Sequence, residues 1–320
     1  MDTDGRDNAH GILSSLTGRL LSGERVACAR LISIVENESP GFIETLKAVY
    51  QYVDKAYVIG ITGPPGAGKS TLTDKLAEKL TGSGEKIGIV AIDPTSPFTK
   101  GAILGDRIRM GSVSDNKNVF IRSMGTRGHL GGLSKATANV LVILSAYGCS
   151  YIFVETVGVG QSEIDIVSCA DTTLMVLAPG LGDDIQAIKA GVMEIGDVFA
   201  VNKADREGAD KTYRETMAML DFKTDWDFRP PVCKTVAENG EGVDVLVESI
   251  MAHKSYLTQS GKLIEKRARK KATHVKDIIR DRLDTRVKEL MSSYAGVFDE
   301  GSDPYSISES IIEKIDSSKI

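Results

Sequence analysis

Nine residues limit what this chain can fold into more than any others: Gly63-Pro64-Pro65-Gly66-Ala67-Gly68-Lys69-Ser70-Thr71. They satisfy the pattern G-x-x-x-x-G-K-[ST], a glycine-rich loop whose backbone N–H groups cradle phosphates. Such a loop needs a strand before it and a helix after it. Tyr57–Thr62 reads as a buried strand and residues 69–80 as a helix. At that junction free N–H groups and the positive end of the helix converge on one anion. Lys69 then reaches the β- and γ-phosphates, and the Ser70 hydroxyl ligates the metal. The bland alternative is a tight strand–helix turn, and the flanking elements favour nucleoside triphosphate binding.

The remaining chain alternates between the two periodicities. Apolar runs at 86–92, 119–123, 151–155, 172–178, 197–201 and 231–235 read as strands, separated by helical patterns that include 134–147 and 242–253. That order implies a mainly parallel sheet covered on both faces by helices. The fold class is α/β, a P-loop NTPase. A helical extension precedes the first strand. Residues 1–11 read as frayed; 12–36 carries Leu16, Leu20, Ala27, Leu31, Ile34 and Val35 at helical spacing, with a break at Ser22-Gly23 and Ser22 as candidate cap. Ser39-Pro40 opens another helix through Val53. Beyond 255 the strand pattern stops. Ile264, Ala268, Ala272, Val275, Ile279, Leu283, Val287 and Leu290 form a long helical stripe, which either folds back or pairs with a second subunit. Asp303-Pro304 opens a last short helix. The expected boundaries are 1–55 for the N-terminal extension, 56–254 for the nucleotide domain and 255–320 for the helical C-terminal arm. The run 262–271 holds six basic residues and one glutamate; a solvated helix face is favoured over an anionic docking site.

Composition removes several classes. Lys plus Arg is 39 against 44 Asp plus Glu, a net charge of −5, which argues against a protein that coats nucleic acid. Cys28, Cys149, Cys169 and Cys233 are scattered with no C-x-x-C pair, as expected of free thiols in a reducing compartment. The acidic N-terminus is unlike a signal peptide, and no apolar run reaches the roughly 18 residues of a membrane helix. The expectation is a soluble cytoplasmic protein without nucleic-acid or membrane partners.

Asn202-Lys203-Ala204-Asp205, at the end of a predicted strand, matches the guanine reader N-K-x-D. The asparagine amide can bond the purine's acceptor edge and the lysine stem can cover the base. Asp205 can accept from guanine N1–H and the exocyclic amine; over adenine it would stay desolvated and unpaired, at roughly 1–3 kcal/mol. The nucleotide is therefore read as GTP. Thr235, Val236 and Ala237, after the last strand, would complete the base pocket through backbone groups. Glu155-Thr156-Val157-Gly158 fits D-x-x-G with glutamate for aspartate: Glu155 would hold Mg²⁺ or its water, and the Gly158 N–H would meet the γ-phosphate. Asp93 and Asp106 are further candidates for the metal shell or for positioning water, with ordinary turn-forming roles as the alternative. Val159 follows Gly158, so no glutamine stands there to orient water. Slow intrinsic hydrolysis is expected, since an added arginine can contribute roughly 10³–10⁵ in rate. Arg109, Arg122 and Arg127 are candidate internal donors.

With these residues placed, the chain resembles the MeaB/ArgK/methylmalonic aciduria type A family of P-loop GTPases, chaperones of adenosylcobalamin-dependent acyl-CoA mutases. The likeness runs from about Ser22 to Ile315 and rests on GITGPPGAGKST, DPTSP, ILGDRIRM, TRGHLGGLS, ETVGVGQSE, PGLGDDIQAIKAGVMEI and VNKAD. It implies GTP hydrolysis with Mg²⁺, the loop 63–71 on the phosphates, and Asp93, Asp106 and Glu155 at acidic active-site positions. It also implies switch segments near 93–110 and 155–166, and a third switch over 180–189 that relays nucleotide state to the mutase. A homodimer through the C-terminal arm is implied too, which supports pairing by the 264–290 stripe. Lys234-Thr235-Val236 departs from the serine-alanine form common in GTPases. The competing readings are a nickel-insertion GTPase, which should carry a Cys/His cluster, and a kinase linked to amino-acid transport, which should prefer ATP. A non-enzymatic nucleotide-binding scaffold is disfavoured by Glu155 and Asp93.

Overall fold

The computed structural model describes residues 3–93, 113–125, 132–156, 166, 168–180, 195–293 and 303–317. It divides into two compact units, Met1–Lys270 and Lys271–Ile320. In the first, helices α1 (Thr3–Leu21), α2 (Arg25–Glu36) and α3 (Phe42–Val49) lead into β1 (Tyr57–Thr62), then α4 (Lys69–Gly82), β2 (Ile87–Asp93), β3 (Val119–Gly125), α5 (Gly132–Ala146), β4 (Tyr151–Thr156) and β5 (Thr172–Leu177). After these come β6 (Val198–Val201), α6 (Ala209–Asp221), β7 (Val232–Lys234), α7 (Val243–Gln259) and the first turns of α8 (Lys262–Ser293). The second unit holds the rest of α8 and α9 (Pro304–Ser317).

The seven strands among the described residues pair in parallel, in the order β3-β2-β4-β1-β5-β6-β7. Every residue of β1, β4 and β5 is buried, which is why these strands read as continuous apolar runs. Alternate side chains feed two cores. Ile59, Ile61, Leu174, Val176 and Phe153 pack with Leu72 and Leu76 of α4 and Leu246 and Ile250 of α7. On the opposite face Ile152, Val154 and Val90 pack with Ile143 and Leu144 of α5 and with Leu20, Leu31 and Ile32 of the N-terminal helices. Met175, Leu177 and Phe199 meet Leu220 of α6. Because these strands run the same way, the carboxyl ends of β1, β2, β4, β6 and β7 lie at one edge, where open α/β sheets bind ligands.

The structure differs from the sequence reading in several places. Helix α1 begins at Thr3, because turns packed through Leu16 and Leu20 propagate helix upstream at one bond per residue. Ser22 does not cap α2: its Oγ donates to the Arg19 carbonyl, while Gly23 at φ +83° turns the chain and Glu24 takes the cap position. Asp93 belongs to β2, paired with Gly125, because β3 runs two residues further than its apolar pattern and carries the ladder with it. Helix α6 is a fourth difference; its buried face is Thr212, Thr216 and Leu220, and threonines carry little hydrophobic signal. The Asp303 cap stands as expected, its carboxylate accepting from the Tyr305 and Ser306 N–H groups.

The basic run 262–271 is neither of the two things its sequence suggested. Several of its cations turn inward to the amino edge of the sheet, onto Asp171, which is 1% exposed. Lys270 Nζ lies 2.5 Å from Asp171 Oδ1, Arg267 Nη2 3.0 Å from Oδ2, and the Val58 N–H donates to Oδ2 at 2.9 Å. Arg267 also donates to the carbonyls of Asp54 and Ala56, just before β1. Burial pushes the Asp171 carboxyl up, but Lys270 and Arg267 outweigh it and hold the group below its ordinary value. Beside this anchor runs a buried relay. Tyr57 Oη and Thr172 Oγ1 are 2.5 Å apart, Thr172 Oγ1 and His253 Nδ1 2.8 Å, and His253 Nε2 and Asp197 Oδ1 3.6 Å. Burial lowers the His253 pKa, Lys266 lowers it further, and Asp197 opposes both. A neutral ring protonated at Nε2 accepts from Thr172 and points its proton at Asp197.

Candidate functional site

The phosphate loop leaves β1 through Gly63, at φ +139°, where a Cβ would stand 2.0 Å from the Val176 carbonyl oxygen. Only glycine lets β1 turn away from β5 that closely. Gly68, at φ +91°, starts α4 without a side-chain cap, so the first-turn N–H groups are left for a ligand. The Lys69 side chain folds back along the loop, its Nζ donating to the carbonyls of Gly63 at 2.8 Å and Pro64 at 3.0 Å. A cavity of about 460 Å³ opens between Pro65, Gly66 and Gly68 to Thr71 on one side, Ala91 and Ile92 of β2 on another, and Glu155 and Thr156 of β4.

Ser70 and Glu155 meet across this cavity. Ser70 Oγ donates to Glu155 Oε1, and Thr73 Oγ1 lies 3.0 Å from Oε2. A hydroxyl and a carboxylate side by side are hard oxygen donors of the kind Mg²⁺ takes, so the residues present fit that ion. Asp93 ends β2, one strand over from β4. Asp106 and Gly158 lie outside the described residues, as do Arg109, Arg127 and nearly all of the three expected switch segments. Arg122 is placed elsewhere: from β3 it pairs with Glu36 and reaches Ser33 of α2, so it holds the extension on the sheet.

The N-K-x-D segment follows β6 and joins the loop directly. Asn202 is 2% exposed. Its Nδ2 donates to the Ala67 carbonyl at 2.9 Å, and its Oδ1 accepts from the Ala237 N–H at 3.0 Å and Thr235 Oγ1 at 3.2 Å. Lys203, in the left-handed region at φ +57°, donates to the Gly66 carbonyl at 2.7 Å. The Ala204 N–H donates to the Thr235 carbonyl at 3.0 Å. Val236 and Ala237 are buried on the loop after β7, and Asp205 is exposed on its turn. The structure thus brings 63–71, Glu155, Asn202, Lys203 and 235–237 to one edge. It also gives Asn202 a role that the sequence did not: one buried amide braces the phosphate loop against the base-side loop. Thr73 was missed as well, and its only sequence signal is its place one turn after Ser70.

A parallel sheet with this loop after its central strand and a guanine reader after β6 defines the class: the chain is a P-loop GTPase. It belongs to the family described as methylmalonyl-CoA mutase-associated GTPase MeaB, which it matches over residues 28–292. It is 51% identical over 311 residues to the "Putative GTPase" of Pyrococcus horikoshii, covering 95% of this chain and 98% of that protein. Identity is 36% to the GTPase ArgK of Escherichia coli, with 77% of each chain covered. It is 30% to the mitochondrial methylmalonic aciduria type A homolog of Mus musculus, covering 82% of this chain and 68% of the relative. Among solved structures, one described as an LAO/AO transport system kinase aligns with a TM-score of 0.72 at 24% identity, covering 96% of this chain and 98% of that one. That likeness shows the fold. Among the described residues no helix is long and apolar enough to cross a membrane.

Proposed function

We propose that this GTPase binds an adenosylcobalamin-dependent acyl-CoA mutase, methylmalonyl-CoA mutase or a relative, and that its GTP cycle gates cofactor loading, protection or reactivation there. The observation that carries the reading is the family match across 28–292, supported by the relative named for methylmalonic aciduria. In this reading the amides of 63–71 and Lys69 hold the β- and γ-phosphates, with Lys69 exchanging two backbone carbonyls for phosphate oxygens. Asp205 reads guanine, and Asn202 keeps base loop and phosphate loop in register. Ser70 and Glu155, with Asp93 and Asp106, hold Mg²⁺, which when bound neutralises charge on the phosphate oxygens. Glycine-rich segments after β2 and β4 respond to the γ-phosphate and pass its state to the mutase.

A homodimer through the C-terminal arm belongs to the same proposal. Val275, Ile279, Leu283 and Met291 are 38–53% exposed along α8, an apolar stripe that a second copy would cover. The test is GTP turnover while a cobalamin mutase is titrated in, read with co-purification. Stimulated turnover and a stable complex are expected; turnover that ignores the mutase would overturn the proposal.

A further inference from the structure

Helix α4 offers Glu155 two hydroxyls. Residues three apart on a helix share a face, so Ser70 and Thr73 both point at β4, and each takes a different oxygen of the same carboxylate. Thr73 is 0% exposed and Glu155 5%, so water does not compete for the bond between them. Thr73 Oγ1 also lies 2.9 Å from the Lys69 carbonyl, one turn back. A hydroxyl carries one proton and cannot serve both acceptors at full strength. The ionised carboxylate is the stronger acceptor, by roughly a factor of two over a neutral one, and the Lys69 carbonyl already receives a backbone N–H in the helical ladder.

We propose that Thr73 is a positioning residue for the metal side of the GTP site. Its hydroxyl fixes the plane of the Glu155 carboxylate. Glu155 in turn accepts the Ser70 O–H hydrogen bond, which leaves the lone pairs of the Ser70 oxygen free to face Mg²⁺. The relay runs Thr73 to Glu155 to Ser70, and all its members lie on α4 and the end of β4. The glutamate is one methylene longer than the aspartate usual in D-x-x-G, and each of its two carboxylate oxygens meets one of the two hydroxyls. This inference rests on the reading that Ser70 and Glu155 hold Mg²⁺.

The experiment measures the Mg²⁺ dissociation constant of the GDP-bound protein, read from the Mg²⁺ dependence of fluorescent-GDP release, beside the melting temperature without Mg²⁺. The variants are T73V, T73S and S70A. Loss of a residue that orients a metal ligand typically weakens the metal about 10–100-fold; T73V is expected in that range, with T73S restoring affinity. T73A removes the hydroxyl without setting a methyl against the carboxylate, and gives the same reading should T73V fail to fold. If Thr73 only back-bonds within α4, T73V lowers the melting temperature and leaves Mg²⁺ affinity unchanged while S70A still weakens it; that result overturns the proposal. If S70A leaves Mg²⁺ affinity unchanged, the metal reading itself falls and Thr73's role with it.

Discussion

Replacing Asp171 with asparagine tests the link between the basic run and the sheet. Four donors converge on this carboxylate: the Val58 N–H, Arg267 Nε and Nη2, and Lys270 Nζ. An aspartate meets all four as acceptor on both oxygens, whereas an asparagine turns an NH₂ group toward one set of them. Breaking a buried ion pair by removing one partner costs about 3–5 kcal/mol. Arg267 and Lys270 are 18% and 19% exposed and can recover some hydration, which puts D171N near the lower end, at about 3 kcal/mol. At about 2.1 cal/mol/K of unfolding entropy per residue a chain of 320 residues shifts by about 1.5 °C per kcal/mol, so the melting temperature should fall by about 4–5 °C. Urea denaturation at pH 7 gives the free energy directly, and a cycle with K270M separates the pair: K270M should cost much less in the D171N background than alone. GTP turnover at 25 °C should be nearly unchanged, because Asp171 lies at the amino edge of the sheet and the phosphate loop at the carboxyl edge. A D171N protein with wild-type stability, or one that loses turnover while keeping its stability, would refute the account.

The other expectations are local. G63A forces a Cβ to within 2.0 Å of the Val176 carbonyl oxygen at φ +139°, so GTP affinity should drop at least about tenfold, since even about 1.4 kcal/mol of strain is a factor of ten; wild-type affinity in folded G63A would contradict the geometry. N202A leaves the Ala67 carbonyl and Ala237 N–H without their partner, at about 1–3 kcal/mol each. It should weaken GTP and lower the melting temperature together, and a loss of affinity with no change in stability would mean the brace is absent. His253 is held neutral below its ordinary pKa, so between that lowered value and about 6.5 the unfolded chain binds more protons than the folded one. Stability should therefore rise with pH through that window and level off above it. H253Q should flatten the urea midpoint over the window just below about pH 6.5, and an unaltered slope would assign the titration to another group.

What the sequence made legible and what it hid have a common physical cause. The phosphate loop and N-K-x-D are contiguous, because each wraps a small rigid ligand with neighbouring residues, so composition and spacing suffice. The parallel strands were legible because burial on both faces leaves mostly apolar residues in β1, β4 and β5, with polar ones such as Thr62, Glu155 and Thr172 confined toward their ends. Asn202 and Ala67 are 135 positions apart, Asp171 and Lys270 99, Thr73 and Glu155 82. No local pattern marks such pairs. The basic run misled for the same reason: a string of lysines and arginines reads as solvated until the carboxylate that neutralises it is placed beside it. Helix α6 was obscured by chemistry and not by distance, since its buried threonines satisfy their hydroxyls on carbonyls one turn back and so pass as core residues without looking apolar.

The two edges of the sheet divide the work of this protein between them. At the carboxyl edge Gly63 is set by its close approach to Val176, Asn202 by its bond to the Ala67 carbonyl and Glu155 by the Ser70 hydroxyl. There a ligand can exchange partners without unfolding a strand: Lys69 can trade carbonyls for phosphates, and Ser70 can keep its bond to Glu155 while presenting an oxygen. At the amino edge the bonds are charged and closed, with Asp171 saturated by β1 and the root of α8. β1 joins these ends, since Val58 rests on Asp171 and Gly63 follows four residues beyond Ile59. The strand that carries the phosphate loop is therefore pinned at its other end. In the proposed cycle, a strand held at its far end makes loop movement, and not strand sliding, the expected readout of hydrolysis.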